Sequence, residues 1–341
     1  MNSQVFLLNE KRNVTLTAYL QDDSREFWRA KKRPAVVIFP GGAYAYCSDR
    51  EADPVAQEYL RAGYHAFVLR YSVGWENAVW PNPLEDYDQA MELIAAHAKE
   101  WNLIPEKIAV IGFSAGGHLA ACAATMAKHR PAAAILAYPV ILEGLAAIRA
   151  KGAPGADKAV DSQTCPCFIA ATGTDTTVSA MNSLRFVEAL YENGISAELH
   201  LYAFGPHGFS TARPSIADPA ELCSRTLHWV EDSISWLEDV FGAFTSGEMS
   251  SPRCPGRVRK DKDPYLSVDC LLATIAGNQT AVERLKQLIL VEETTQKWIA
   301  EQKENLLTSE MTLRSALQFL DVPGEVIRKA DEMLSEIPNR K

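Results

Sequence analysis

Residues 108–120 read IAVIGFSAGGHLA: an apolar run, then Gly112-Phe113-Ser114-Ala115-Gly116, then a stretch with helical character. A strand that turns directly into a helix leaves room only for small residues two places before and two places after the turning residue, which accounts for Gly112 and Gly116. The turning residue, Ser114, is then held strained and exposed at the end of its strand. G-x-S-x-G is a short pattern, but here it has the strand before and the helix after that a nucleophile elbow requires. The alternative is a Gly-rich strand-to-helix turn that merely packs closely.

A serine hydroxyl is a weak nucleophile at neutral pH. It needs a base, an acid to orient that base, and donors for the oxyanion. In elbow architectures the acid and then the base follow the serine, each after a later strand. The apolar run Cys167–Ala171 leads into Thr172-Gly173-Thr174-Asp175, and Asp175 is the candidate acid. The next run, Ala197–Tyr202, leads into Phe204-Gly205-Pro206-His207-Gly208, and His207 is the candidate base. Competing readings exist for both: Asp175 as the cap of a helix beginning near Ser179, and His207 as an ordinary loop histidine. His118 lies one turn into the elbow helix, where its side chain belongs to the helix face and does not easily reach the serine. His65, His97, His129, His200 and His228 fall in or beside expected strands and helices and read as ordinary core or surface histidines. Upstream, the buried-type strand Ala35–Phe39 ends in Pro40-Gly41-Gly42-Ala43-Tyr44. Two adjacent glycines let backbone amides face a substrate oxygen, so Gly42 and Ala43, with Ala115 after the serine, are the candidate oxyanion donors.

PGGAYAYCSDRE, VIGFSAGGHLAA, TGTDTTV and GPHGF together resemble the acetyl-xylan-esterase branch of the α/β-hydrolase superfamily, close to carbohydrate acetylesterases, over about residues 1–245. The resemblance implies a Ser114, His207 and Asp175 triad, an oxyanion hole at Gly42, Ala43 and Ala115, and a substrate-contacting Tyr44. Ala43 departs from the third glycine common among relatives; it keeps the N–H but restricts the backbone. The segment between Val140 and Cys165 is short and rich in alanine and glycine, so an open, shallow site without a bulky lid is expected.

Hydrophobic residues make up 47% of the 341-residue chain and charged residues 23%, and no apolar stretch has bilayer length. The N-terminal MNSQVFLLNEKRN lacks a basic region followed by a long apolar core, so a cytoplasmic enzyme is expected. The seven cysteines show no C-x2-C pair, and neither zinc nor a disulfide framework is indicated. No metal and no cofactor are expected. A net charge of −9 disfavours nucleic acid and anionic membranes as partners and leaves a small acylated carbohydrate as substrate.

Before residue 245 strands and helices alternate, which indicates an α/β fold: a mostly parallel sheet covered on both faces, the first two strands forming an antiparallel edge, and the site at the carboxyl ends of the strands. The reading gives strands near 4–8, 14–20, 35–39, 65–71, 107–112, 132–138, 167–172 and 197–203, and helices near 52–62, 84–100, 115–128, 179–193 and 219–240. Residues 246–264 read as a linker or exposed loop. The cations Arg257, Arg259, Lys260 and Lys262 there are interleaved with Asp261 and Asp263, which indicates a solvated run rather than a polyanion site. Residues 265–341 form an all-α extension of unknown role. Val282, Leu285, Leu288 and Ile289, and later Val326, Ile327, Ala330, Met333, Leu334 and Ile337, keep helical spacing. Such faces need a partner surface: one another, the hydrolase domain, or a second subunit in a homo-oligomer. Two activities compete with the esterase: a non-catalytic scaffold whose C-terminal helices bind a partner, and a peptidase of the prolyl-oligopeptidase type, for which no propeller domain is evident.

Overall fold

The computed structural model describes residues 2–289 and 299–339. Residues 290–298 and 340–341 of the helical extension, and Met1 of the N-terminal segment, lie outside the described residues. The chain divides into two compact units, Met1–Gly256 and Arg257–Lys341. The first was expected to end at 245. Backbone bonds tie the following stretch to it: Ser250 donates to Ala243, Arg253 and Cys254 donate to Asp239, and Gly256 accepts from Ser196.

The first unit is built on an eight-stranded sheet in the order β1-β2-β4-β3-β5-β6-β7-β8. The strands are β1 Asn2–Asn9, β2 Val14–Leu20, β3 Arg33–Phe39, β4 His65–Arg70, β5 Leu103–Phe113, β6 Ala133–Ala137, β7 Cys167–Thr172 and β8 Ala197–Tyr202. β1 pairs β2, and β2 pairs β4, antiparallel; every later pairing is parallel. The inner strands are continuous apolar runs because both faces are covered. Val37 and Phe39 of β3 join one core with α2 (Asn82–His97), α3 (Ala115–Met126) and α5 (Met181–Glu192). Val36 and Ile38, pointing the other way, join a second core with α1 (Asp53–Arg61) and α6 (Trp229–Phe241). The small fourth helix, α4, spans Glu143–Ala146.

The expected helix over 219–240 is shorter than its spacing indicates. Two 3-10 turns, Pro219–Glu221 and Ser224–His228, precede α6. Asp218 caps the first of them, and the Cys223 amide donates to Phe204 instead of continuing a helical ladder.

In the second unit the helices Leu272–Ala276, Gln279–Leu288, Lys303–Thr308, Leu313–Phe319 and Gly324–Leu334 surround a core of their own. Leu285, Ile327, Ala330, Leu334 and Ile337 are buried there, so the apolar faces read from the sequence pack against one another. Two cations of the basic cluster are paired locally, Arg259 bidentate to Asp261 at 3.0 and 2.9 Å and Lys260 with Asp263 at 3.1 Å. No described helix is long and apolar enough to cross a membrane.

At the elbow, a Cβ on Gly112 would fall 2.6 Å from the Gly116 carbonyl carbon, and one on Gly116 would fall 2.7 Å from the carbonyl carbon of Phe39. Both obstacles are backbone, which has little freedom to yield. Gly116→Ala is expected to lose about 3 kcal/mol of stability or more, the upper range for overpacking a buried site. Chemical denaturation of the variant, referenced to wild type, measures this, and a change below about 1 kcal/mol would contradict the close approach.

Candidate active site

Parallel strands deliver their following loops to one edge of the sheet, and the candidate residues lie in the loops after β3, β5, β7 and β8. Ser114 follows β5 directly with φ 52° and ψ −114°, a left-handed conformation that a non-glycine residue adopts at a cost. Its amide donates to Ala137 of β6, and its carbonyl accepts from His118 at 3.1 Å and Val140 at 3.0 Å, so the strained residue is fixed by its neighbours.

The structure brings Ser114, His207 and Asp175 together in one line. Asp175 Oδ2 lies 2.7 Å from His207 Nδ1, and His207 Nε2 lies 2.9 Å from Ser114 Oγ. Burial pushes the Asp175 carboxyl up, but the hydrogen bond from His207 and the amides of Val178 and Thr177 outweigh it and hold it below its ordinary value. An ionised carboxylate only accepts, so the imidazole proton sits on Nδ1 and Nε2 is left to accept the serine hydroxyl proton. The other carboxylate oxygen, Oδ1, accepts from Thr177 at 2.8 Å and Val178 at 2.9 Å. Asp175 thus closes a local turn and hydrogen-bonds His207 at once; it does not cap the following helix, whose N-cap is Ala180 without a side-chain bond.

In the loop after β3, Gly42 has φ +125°, and a Cβ there would fall 2.9 Å from the Tyr46 carbonyl carbon, so only glycine fits. Ala43 and Tyr44 follow at φ 53° and 56°. Ala43 therefore adopts its place in the loop at the cost of backbone strain. The amides of Gly42, Ala43 and Ala115 make no hydrogen bond among the described residues. Ala43, Tyr44, Ser114 and Ala115 line one cavity of about 230 Å³ together with Val140, Leu145, Ala146, Ile148, Arg149, Thr177 and Val178. The short segment after Val140 was expected to leave the site shallow; instead it supplies one wall, because α4 turns Leu145 and Ala146 toward the serine's cavity. Tyr44 lines that cavity with its hydroxyl engaged elsewhere, donating to His118 Nδ1 at 2.8 Å.

Two supporting residues, Glu51 and Tyr138, were not singled out from the sequence. Glu51 is 2% exposed, and its two oxygens accept from the Gly41 amide at 2.8 Å and the Tyr138 hydroxyl at 2.6 Å. Tyr138 also accepts from the Ser210 amide at 3.0 Å, and its ring meets that of His207 edge-on at 4.9 Å. Burial first, then Glu51, pushes the Tyr138 hydroxyl above its usual range, so it remains a donor. Together they tie the glycine loop to the His207 loop. His118, read as a helix-face residue, anchors Tyr44 while its Nε2 donates to the Pro154 carbonyl at 2.7 Å.

A family model described as BD-FAE matches residues 27–139. An α/β-hydrolase enzyme, MGS-M1, from a Medee basin deep-sea metagenome library is 42% identical, with a TM-score of 0.65 over 70% of this chain and 98% of that one. The chain belongs to the α/β-hydrolase family. Endo-1,4-beta-xylanase B of Butyrivibrio fibrisolvens is 32% identical over 229 residues, 58% of this chain and 35% of that protein. Acetylxylan esterase of Xylanibacter ruminicola is 29% identical over 197 residues, 51% of this chain and 41% of that protein. The chain thus spans well under half the length of these curated relatives.

Burial holds both His65 and His118 down at about 4, against an ordinary value near 6.5. Below pH 6.5 the unfolded chain takes up a proton on each that the folded chain refuses until about pH 4, so stability is lost as pH falls through this window. The expected slope approaches 1.4 kcal/mol per pH unit for each histidine. His118→Gln should lower stability at pH 7 yet flatten the decline between pH 6.5 and 5, measured by denaturant titration. An unchanged slope would show that the protons bind elsewhere.

Proposed function

We propose that the protein is a serine carboxylic-ester hydrolase that removes acetyl or another short acyl group from a sugar, with acetylated xylo-oligosaccharides the foremost substrates. The observation that carries this reading is the line from Asp175 through His207 to Ser114 Oγ, beside a small cavity lined by Ala43 and Ala115, whose amides make no hydrogen bond among the described residues. The relative named acetylxylan esterase supports the choice of acyl group and sugar.

In this reading His207 Nε2 takes the Ser114 proton as Oγ attacks the ester carbonyl. The carbonyl oxygen becomes negative and is received by the amides of Gly42, Ala43 and Ala115. The tetrahedral intermediate collapses, its C–O bond to the sugar breaks, and His207 returns the proton to the departing sugar oxygen. Water then attacks the acyl-Ser114 ester with His207 again as base, releasing the short carboxylic acid and restoring the serine. Asp175 fixes the imidazole tautomer and stabilises the imidazolium through both steps.

Two expectations follow from these roles. Ser114→Ala removes the attacking atom and should reduce turnover of p-nitrophenyl acetate on the order of 10⁴-fold or more with the fold intact. Asp175→Asn keeps an oxygen for the Thr177 and Val178 amides but turns an NH2 toward His207 Nδ1, reversing the tautomer; kcat should drop about 10³- to 10⁴-fold with KM nearly unchanged. A kcat within threefold of wild type would leave Asp175 a turn residue only.

The cavity of about 230 Å³ is smaller than the ~300–1,000 Å³ of sites for drug-sized ligands. Each additional methylene buried is worth ~0.8 kcal/mol only while wall remains to cover it. A p-nitrophenyl ester series should therefore peak in kcat/KM between acetyl and butyryl and decline by octanoyl. A steady rise through octanoyl would contradict the short-acyl reading.

A further inference from the structure

Arg149 lines the same cavity as Ser114, and among the described residues its guanidinium has no hydrogen bond and no ion pair. This sets it apart from arginines elsewhere in the chain: Arg130 is bidentate to Asp161 at 2.5 and 2.9 Å, Arg213 is shared between Glu58 and Glu231, and Arg314 is bidentate to Asp269. Three acidic side chains near the site are committed to other partners. Glu143 of α4 pairs with Lys158 at 2.8 Å, and both oxygens of Asp175 and of Glu51 are occupied. Of the rest of the cavity wall, Ala43, Ala115, Val140, Leu145, Ala146, Ile148 and Val178 are apolar, and Tyr44, Ser114 and Thr177 bring hydroxyls but no carboxylate. A second guanidinium, Arg50, lies against Gly208, the residue after His207, and it too makes no ion pair among the described residues. In a chain of net charge −9, two arginines without carboxylate partners stand close to the candidate site.

We propose that Arg149 recognises a carboxylate carried by the substrate, so that the esters best served by this site are short and singly negative. This deepens the ester-hydrolase reading and rests on it. The guanidinium fork matches a carboxylate bidentately and stays charged at any working pH. The carboxylate has two possible locations: the acyl part, as in a dicarboxylic monoester, or the alcohol part, as in a sugar chain bearing a uronate.

Two pairs of substrates distinguish them. The acyl arm compares the p-nitrophenyl monoester of glutaric acid with p-nitrophenyl butyrate. The alcohol arm compares acetylated xylo-oligosaccharides with and without a uronate branch. Wild type should favour the anionic member of one pair by about tenfold in kcat/KM, in keeping with a solvent-accessible charge-assisted bond, and lose most of that preference in high salt. Arg149→Met should abolish the preference, lowering kcat/KM for the anionic member about tenfold more than for the neutral one, with circular dichroism and thermal melting checking the fold. A preference in the acyl arm assigns the carboxylate to the acyl group, and one in the alcohol arm assigns it to the sugar. Equal rates in both pairs, or an Arg149→Met loss of the same size on neutral and anionic members, would overturn the proposal. No wild-type turnover of any of the four would overturn the ester-hydrolase reading itself, and the proposal with it.

Discussion

The site depends on the turn at Ser114, the single residue between the end of β5 and the start of α3. A non-glycine residue at φ 52° and ψ −114° carries strain of about 1–3 kcal/mol, which persists only where the surroundings fix it. Here they do. The β6 carbonyl of Ala137 holds the Ser114 amide, and the Ser114 carbonyl is shared by the first turn of α3 and the amide of Val140. Gly112 and Gly116 let that helix start against the backbone of β3, and the whole length of α3 is buried apart from its last residue. The same contacts that hold the turn leave the serine side chain pointing out of the sheet edge, toward His207.

Around this turn the polar groups divide into two sets. His207 and Asp175 face the serine and are partly solvated on the histidine side, with 18% of that side chain exposed. Glu51, Tyr138, His118 and Tyr44 sit behind the site and are buried, each hydrogen-bonded. A buried polar group is tolerable only with its partners in place, so these residues fix the glycine loop and the His207 loop to a narrow range of positions. That rigidity matters because Ala43 and Tyr44 are both held in the left-handed region, a conformation the loop would abandon without such anchors.

Much of this was legible in the chain because the constraint is local. Gly112 and Gly116 flank Ser114 at fixed offsets, and the apolar runs before Asp175 and His207 announce strands whose ends must share one edge of a parallel sheet. The alternating cores of β3 follow from the same rule, since Val36 and Val37 cannot face one way. Glu51 was not legible. It stands in Ser48-Asp49-Arg50-Glu51, which reads as a solvated charged turn, and only the fold brings it under Gly41 and Tyr138. Tyr138 closes an apolar strand as many core tyrosines do, and nothing in its neighbourhood along the chain marks it as a link between two loops. The wall supplied by Leu145 and Ala146 was hidden for a related reason: small residues say little about which way a short helix faces. Residues 246–256 read as linker from their serine, proline and glycine content, yet their backbone groups are bonded to α6 and the Ser196 segment, a pairing that composition does not encode.

The central claim is that Ser114 itself becomes acylated. Mixing the protein with p-nitrophenyl acetate, quenching in acid within the first turnovers and sequencing its peptides by mass spectrometry tests this directly. The account predicts one acetyl group on the peptide spanning the elbow, located at Ser114, absent from the Ser114→Ala variant and accumulating faster than it is lost only while substrate remains. Acetyl found on another residue at the rate of turnover, or turnover with Ser114 unmodified throughout, would contradict it.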